Sequence, residues 1–364
     1  MKKAIWWVIG IIVVAAIVIA VSLNNKPTEA KTIKIGLSLP LTGDVAFIGE
    51  AVKNAALLAT DDVNSDKSLK NKYELIMEDD SFDARKGATT LSKLINVDKV
   101  DALISIGSTV GNVATPLATA AKIPHISVAG DQNIAKGDFN FLNWTRPQQE
   151  VDTLIKELTR RNITKLAVIG VNQEGFKAIE KDLIEKLAAT NITIVGNETF
   201  NPGQTDFRTI ISKLQKTNPQ VYLLDSFDPE IGIIGKQIHD LGIKTPLISI
   251  ESFGLTSDPT LFEGDWYVDA AVPTSAFSIA YEKKYGKPVG PAAPNAYDAI
   301  KLLVNAFEAV KGDVTGEKVA QALNSETTYV GAMGALKPGP EGAFMSEASV
   351  KIIKNGKPEL LMTP

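Results

Sequence analysis

From Thr32 onward, short apolar runs alternate with longer segments of helical periodicity, and this rhythm restricts the chain to few architectures. Thr32–Leu39, Tyr73–Met77, Val100–Ile106 and Ile126–Ala129 read as strands. Between them the spacing predicts helices over 49–63, 84–97 and 110–121, the second capped by Asp83. After a break the series restarts. Lys165–Val171, Ile192–Thr199, Gln220–Leu224, Leu247–Ile250 and Trp266–Val272 read as strands, with helices over 175–190, 206–217 and 229–241. Strands alternating with helices of roughly 10–15 residues point to βαβ units and a parallel sheet. Two such series in 364 residues point to two α/β lobes. Helices over 275–285 and 294–310 follow, then a Gly- and Pro-rich stretch ending in the strand Ser349–Ile353.

Composition removes several functions. The chain has no cysteine, so disulfides, zinc–thiolate sites, thiol nucleophiles and a cysteine-linked lipid anchor are excluded. His125 and His239 have no neighbour at metal-ligand spacing, and no P-loop or dinucleotide glycine fingerprint is present. No metal or cofactor is expected. The net charge of −4 with scattered Lys and Arg gives no nucleic-acid surface.

The N-terminus points outward. Lys2 and Lys3 precede an uncharged stretch, Ala4–Val21, with Trp6 and Trp7 at its basic end. As a helix it would span about 27 Å, close to a hydrocarbon core of roughly 30 Å. The positive flank stays cytoplasmic, so the rest of the chain is expected outside. Residues 1–23 therefore read as a signal anchor or a signal peptide. Their apolar run is longer than the roughly 7–15 residues usual in signal peptides, which favours the anchor. Residues 24–31 read as a polar tether.

In open parallel sheets, ligands bind beyond the carboxyl ends of the strands. Gly107-Ser108-Thr109 stands at such a junction and opens a helix, where free N–H groups and two hydroxyls suit a carboxylate, or simply cap the helix. Asp131 and Glu251 stand at junctions in opposite halves and together would suit an ammonium group, unless both are solvated surface acids. Phe47, Trp144 and Phe227 are candidate apolar walls.

Several longer stretches then align in order. They are IKIGLSLPLTGDVAFIGE at 33–50, EDDSFDARKGATTLSKLI at 78–95, ALISIGSTVGNVATPLATAAKIPHISVAG at 102–130, QTDFRTIISKLQKTNPQVYLL at 204–224, GKQIHDLGIKTPLI at 235–248 and AYDAIKLLVNAF at 296–307. From about residue 31 to the end, the chain resembles the type I periplasmic binding proteins of the branched-chain amino acid class. The resemblance implies two Rossmann-like lobes with parallel sheets joined by a three-strand hinge. Lobe 1 would comprise 32–145 with 274–332, and lobe 2 146–273 with 333–364. It implies that Ser108 meets a ligand carboxylate, that the Ala129 carbonyl and Glu251 meet its ammonium, and that Phe227 lines it. The sequence departs from the class at Asp131, where Thr or Ser is usual, at Glu174 and Ile48, near frequent Tyr positions, and at Asn143, where Arg is common. The extra carboxylates imply a more cationic or more polar ligand than leucine.

The function implied is the extracytoplasmic substrate-binding component of an ABC importer. It would capture an amino acid or a related amine- or amide-containing solute by hinge closure and dock on permease subunits. The alternative is a membrane-anchored sensor that signals through a partner. An enzyme is not expected, because no nucleophile or metal accompanies Asp131, Glu174 or Glu251.

Overall fold

The computed structural model describes residues 31–339 and 342–361. The anchor or signal segment 1–23, and all of the tether 24–31 except Lys31, lie outside the described residues. Among the described residues, no helix is long and apolar enough to cross a membrane.

The first half builds β1 (Thr32–Leu39), α1 (Ala46–Ser65), β2 (Lys72–Asp79), α2 (Ala84–Asn96), β3 (Ala102–Ile106), α3 (Ser108–Ala121), β4 (His125–Val128) and β5 (Asn140–Asn143). Its five strands run parallel in the order β2-β1-β3-β4-β5. The chain then crosses to α4 (Pro147–Arg160), β6 (Lys165–Val171), α5 (Glu174–Leu187), β7 (Thr193–Phe200), α6 (Arg208–Gln215), β8 (Val221–Asp225), α7 (Glu230–Asp240), β9 (Leu247–Ile250), α8 (Ser252–Leu255) and β10 (Trp266–Ala270). These strands repeat the same parallel order, β7-β6-β8-β9-β10. β3 and β8 are buried at every position, Ser105 and Asp225 included, as expected of central strands in sheets covered on both faces.

The chain returns to the first lobe through α9 (Ser275–Tyr285), α10 (Ala293–Ala309) and α11 (Gly316–Asn324). α10 and α1 pack on one face of the first sheet, where Val52, Ala55, Ala59, Ala296, Ile300 and Leu303 are buried together with Ile33, Ile35 and Leu37 of β1. Each fully buried Val, Leu or Ile side chain on this face contributes about 1.5–3 kcal/mol. α2 and α3 cover the opposite face through Leu91, Leu94, Val110 and Ala114. The second lobe has its own core, from Leu166 and Leu223 to Phe253 and Phe262.

Besides β5 and α11, which the sequence reading did not place, two further features differ from the sequence expectation. α4 falls in the break between the two strand series, where no element is expected. Pro147 opens it, a favoured first-turn position, and Val151, Leu154 and Leu158 form its buried stripe. The expected lobe boundary at 332/333 is also corrected. β11 (Tyr329–Gly331), β12 (Gly334–Pro338) and β13 (Ala343–Met345) extend the first sheet, and only β14 (Ala348–Lys354) and β15 (Lys357–Leu360) join the second. The reason is an open strand edge and a buried carboxylate. β13 pairs in parallel with β5, and Phe344 packs on Phe141 with ring centroids 6.4 Å apart. Asp298 of α10 accepts hydrogen bonds from Ala332 N at 2.6 Å, Met333 N at 2.9 Å and Tyr329 Oη at 3.0 Å, which pins the β11–β12 turn to the first lobe.

Candidate functional site

On the first lobe, the junction after β3 is shaped by Gly107. Its φ is +78°, and a Cβ there would stand 2.2 Å from the Phe82 ring, so a side chain is excluded and the ring lies against the backbone. α3 starts at Ser108, and its N-cap offers no side-chain acceptor. Ser108 is buried, and its Oγ accepts from Asp131 N at 3.2 Å. Ala129, just after β4, is buried beside it in sequence, and Thr109 is half-buried.

The structure changes the reading of three expected site residues. The Asp131 carboxylate accepts from Asn112 Nδ2 at 2.8 Å and from Asn133 N and Nδ2, both at 2.9 Å, so it caps the 3-10 turn Gln132–Ala135. Most of its lone-pair capacity is therefore taken up by the fold. Glu174 is exposed and pairs with Lys177 at 3.0 Å on the same helix. Ile48 lies on the apolar face of α1 and packs in the first core, 7% exposed. Phe47, one residue earlier, packs against the same core and lines a cavity of about 750 Å³ between the lobes.

On the second lobe, Phe227 follows β8 and meets Phe82 edge-to-face, centroids 5.7 Å apart. Glu251 follows β9 with φ at +64°, a left-handed conformation that L-residues other than Gly, Asn and Asp seldom adopt. It accepts a hydrogen bond from Trp144 Nε1 at the end of the first crossing. A Cβ on Gly175 would stand 3.3 Å from Ser108 Oγ, so the start of α5 closes on the start of α3. Arg146 Nε donates to Gln132 Oε1 at 2.7 Å across the same seam. Ser108, Ala129 and Asp131 are thus gathered on one wall, and Phe227 and Glu251 on the other. Thr109 adjoins the first wall, while Ile48 and Glu174 join neither.

The sequence reading missed the acids around Glu251. Glu150 in the first turn of α4 is fully buried, and neither of its carboxyl oxygens has a donor. Asp225 ends β8; Ser252 Oγ donates to its Oδ1 at 3.0 Å, and its Oδ2 has no partner. Asp269 on β10 pairs with Lys351 Nζ at 2.8 Å. Burial pushes the Glu150 and Asp225 carboxyls well above the ordinary range, and the neighbouring Glu251 charge adds to both. Glu251 itself is pushed up to about 7 by burial, with Trp144 pulling it down and Asp269 up. One signal for Glu150 was available: it lies one, four and eight positions before Val151, Leu154 and Leu158, on the apolar stripe of its helix.

Residues 32–349 match the family described as Periplasmic binding protein. The chain belongs to that family. Relatives of this periplasmic binding protein include the Leu/Ile/Val-binding protein BraC3 of Rhizobium johnstonii, 26% identical over 90% of this chain and 93% of the relative. Another is the leucine-, isoleucine-, valine-, threonine- and alanine-binding protein of Pseudomonas aeruginosa, 27% identical over 82% and 83%. Among solved structures, the branched-chain amino acid transporter substrate-binding protein LivJ of Streptococcus pneumoniae, in complex with isoleucine, superposes with a TM-score of 0.81. It is 24% identical and covers 90% of this chain and 98% of its own. A solute-binding protein of an ABC transporter from R. palustris, in complex with benzoate, reaches 0.82 at 20% identity over 91% and 95%. One fold thus carries ligands of different chemistry, and specificity is a matter of the site residues.

Proposed function

We propose that this protein is the extracytoplasmic substrate-binding component of an ABC importer, taking an amino acid or a related small polar solute between its lobes. The observation that carries the reading is the pairing of two walls. Ser108, at an uncapped helix N-terminus, suits a carboxylate, and Glu251 on the facing lobe suits an ammonium group. The backbone carbonyl of Ala129 supplies a further acceptor, and Phe227 and Phe82 an apolar wall. A ligand touching both lobes favours the closed arrangement by its differential affinity for it, and the permease subunits would read that closed form. The names of the relatives support transport as the role. Residues 4–21 are long and apolar enough to hold the protein at the membrane, which membrane fractionation of the full chain against a variant lacking them would test.

The reading is tested by a thermal-shift screen of the protein against amino acids, polyamines, amides and small carboxylates. A bound solute at 100 times its dissociation constant adds about 2.7 kcal/mol. A shift with an amine-bearing solute, weakened in both Ser108→Ala and Glu251→Gln without loss of fold, is the expected result. A shift confined to solutes without an amine, or unchanged affinity in both variants, refutes it.

A further inference from the structure

Tyr267 and Asp269 stand two residues apart on β10, and Lys351 on β14 is the cross-strand partner of Tyr267, so the three side chains share one face of the second sheet. Lys351 Nζ donates to Asp269 Oδ2 at 2.8 Å, and among the described residues no second acceptor meets that ammonium. Asp269 Oδ1 accepts from Ala270 N at 2.7 Å, and Oδ2 keeps a lone pair. The Tyr267 hydroxyl is fully buried and has no partner. Such an arrangement is weak ground for stability, since apolar side chains of similar volume serve a core as well or better.

The interlobe cavity of about 750 Å³ ends on this face, for Tyr267, Asp269 and Lys351 line it, with Phe47, Leu255 and Met333 among its apolar walls. The other charged residues of its lining, Glu50, Glu282, Lys287 and Lys357, are exposed, so Asp269 and Lys351 are the charges set inside it. Gly254 leaves the polar face uncovered: a Cβ there would stand 3.0 Å from both Tyr267 Oη and Asp269 Oδ2. The cavity also adjoins Glu251. Trp144, whose indole holds the Glu251 carboxylate, lines it. Gly254 N donates to the Glu251 carbonyl at 2.8 Å, so one helical turn, roughly 5 Å, separates the acid from the polar face.

We propose that this face selects the distal group of the solute, and that the group is a neutral one able both to accept and to donate, a primary carboxamide. Its oxygen accepts from Lys351 Nζ, with the Tyr267 hydroxyl as a further donor, and its NH2 donates to Asp269 Oδ2. A carboxylate placed there meets the charge of Asp269, an ammonium meets that of Lys351, and an aliphatic end leaves all three polar groups unmet. With the α-ammonium on Glu251, a reach of one helical turn fits an amino acid with a short amide-bearing side chain, such as L-glutamine. No covalent bond is made or broken. This inference rests on the interlobe cleft being the solute site.

The test is calorimetric titration of the protein with L-glutamine, L-glutamate, L-lysine and L-leucine at pH 8, above the Glu251 midpoint of about 7, where that carboxylate is ionised and the solutes keep their α-ammonium. Glutamine is expected to bind about tenfold or more tighter than each of the others. Lys351→Met leaves Asp269 as the charge on the face and should move the preference to lysine; Asp269→Asn leaves Lys351 and should move it to glutamate. If these variants do not fold, Tyr267→Phe keeps the ring and deletes one donor, and should weaken glutamine about fivefold while leucine binding stays unchanged. Glutamate, lysine or leucine binding as tightly as glutamine, or variants that weaken all four solutes alike, overturns the carboxamide assignment and leaves the cleft reading intact. Failure of all four amines to bind overturns both.

Discussion

The indole of Trp144 donates its Nε1 proton to the carboxylate of Glu251, a residue 107 positions later and on the other lobe. Trp144 belongs to the first crossing between the sheets, and Glu251 to the strand-end loop that the second lobe presents to the cleft. The bond thus joins the hinge to the acid proposed to meet the ligand. It is also the strongest influence keeping Glu251 from rising further, against burial and the nearby Asp269.

Removing that donor should be visible on the acid. In Trp144→Phe the ring packing is largely retained while the N–H is lost, so the Glu251 midpoint is expected to move above its present value of about 7. Carbon-detected NMR of labelled glutamate carboxyls across pH 5–9 measures it. An unchanged midpoint shows that the bond is absent in solution.

Stability should fall as pH rises from 5 to 8. Burial raises Glu251 and Asp265 to about 7 and Asp298 to about 6, all above their unfolded values near 4. Between the unfolded and folded values the native state binds the extra protons. Its stability is therefore full below about pH 4 and is lost as pH climbs through about 7. Scanning calorimetry over this range, with Glu251→Gln flattening the slope, is the measurement.

Asp298→Ala should destabilise the first lobe by about 2–4 kcal/mol, because two backbone N–H groups and the Tyr329 hydroxyl lose a buried acceptor together. Urea unfolding followed by circular dichroism reads the change as a lowered midpoint. A loss under 1 kcal/mol would mean that water replaces the carboxylate.

Closure should depend on Gly175. Valine there would press on Ser108 across the seam, a contact that parting of the lobes would relieve. Gly175→Val is expected to weaken solute binding by about tenfold or more with a melting temperature close to wild type. Small-angle scattering at saturating solute would show the variant less compact than the parent.

Much of the fold was legible because periodicity is a local property. The mainly apolar runs of β3 and β8 announce strands buried on both faces, and the face carrying Ala296, Ile300, Leu303 and Phe307 announces α10. α4 was not read because its first turn, Pro147-Gln148-Gln149-Glu150, is polar, although its stripe follows at once. The site was legible in part. Ser108 and Glu251 stand where strands end, and a strand end is a position along the chain. Glu174 and Asp131 stand at similar positions, yet one pairs with Lys177 and the other caps a turn.

By itself the sequence determined the two α/β series, the strand ends that face the cleft and the absence of thiol chemistry, since each depends on residue type and spacing along one segment. Tertiary structure alone decided which lobe holds residues 333–345, because that turns on the free edge of β5 and the carboxylate of Asp298, both distant in the chain. It alone decided that Asp269 pairs with Lys351 and that Glu150 and Asp225 are buried with carboxyl oxygens no donor reaches. Five parallel strands carry their ends to a single face, so acids far apart in sequence share one low-dielectric space, and their mutual charge exists only once the sheet has formed.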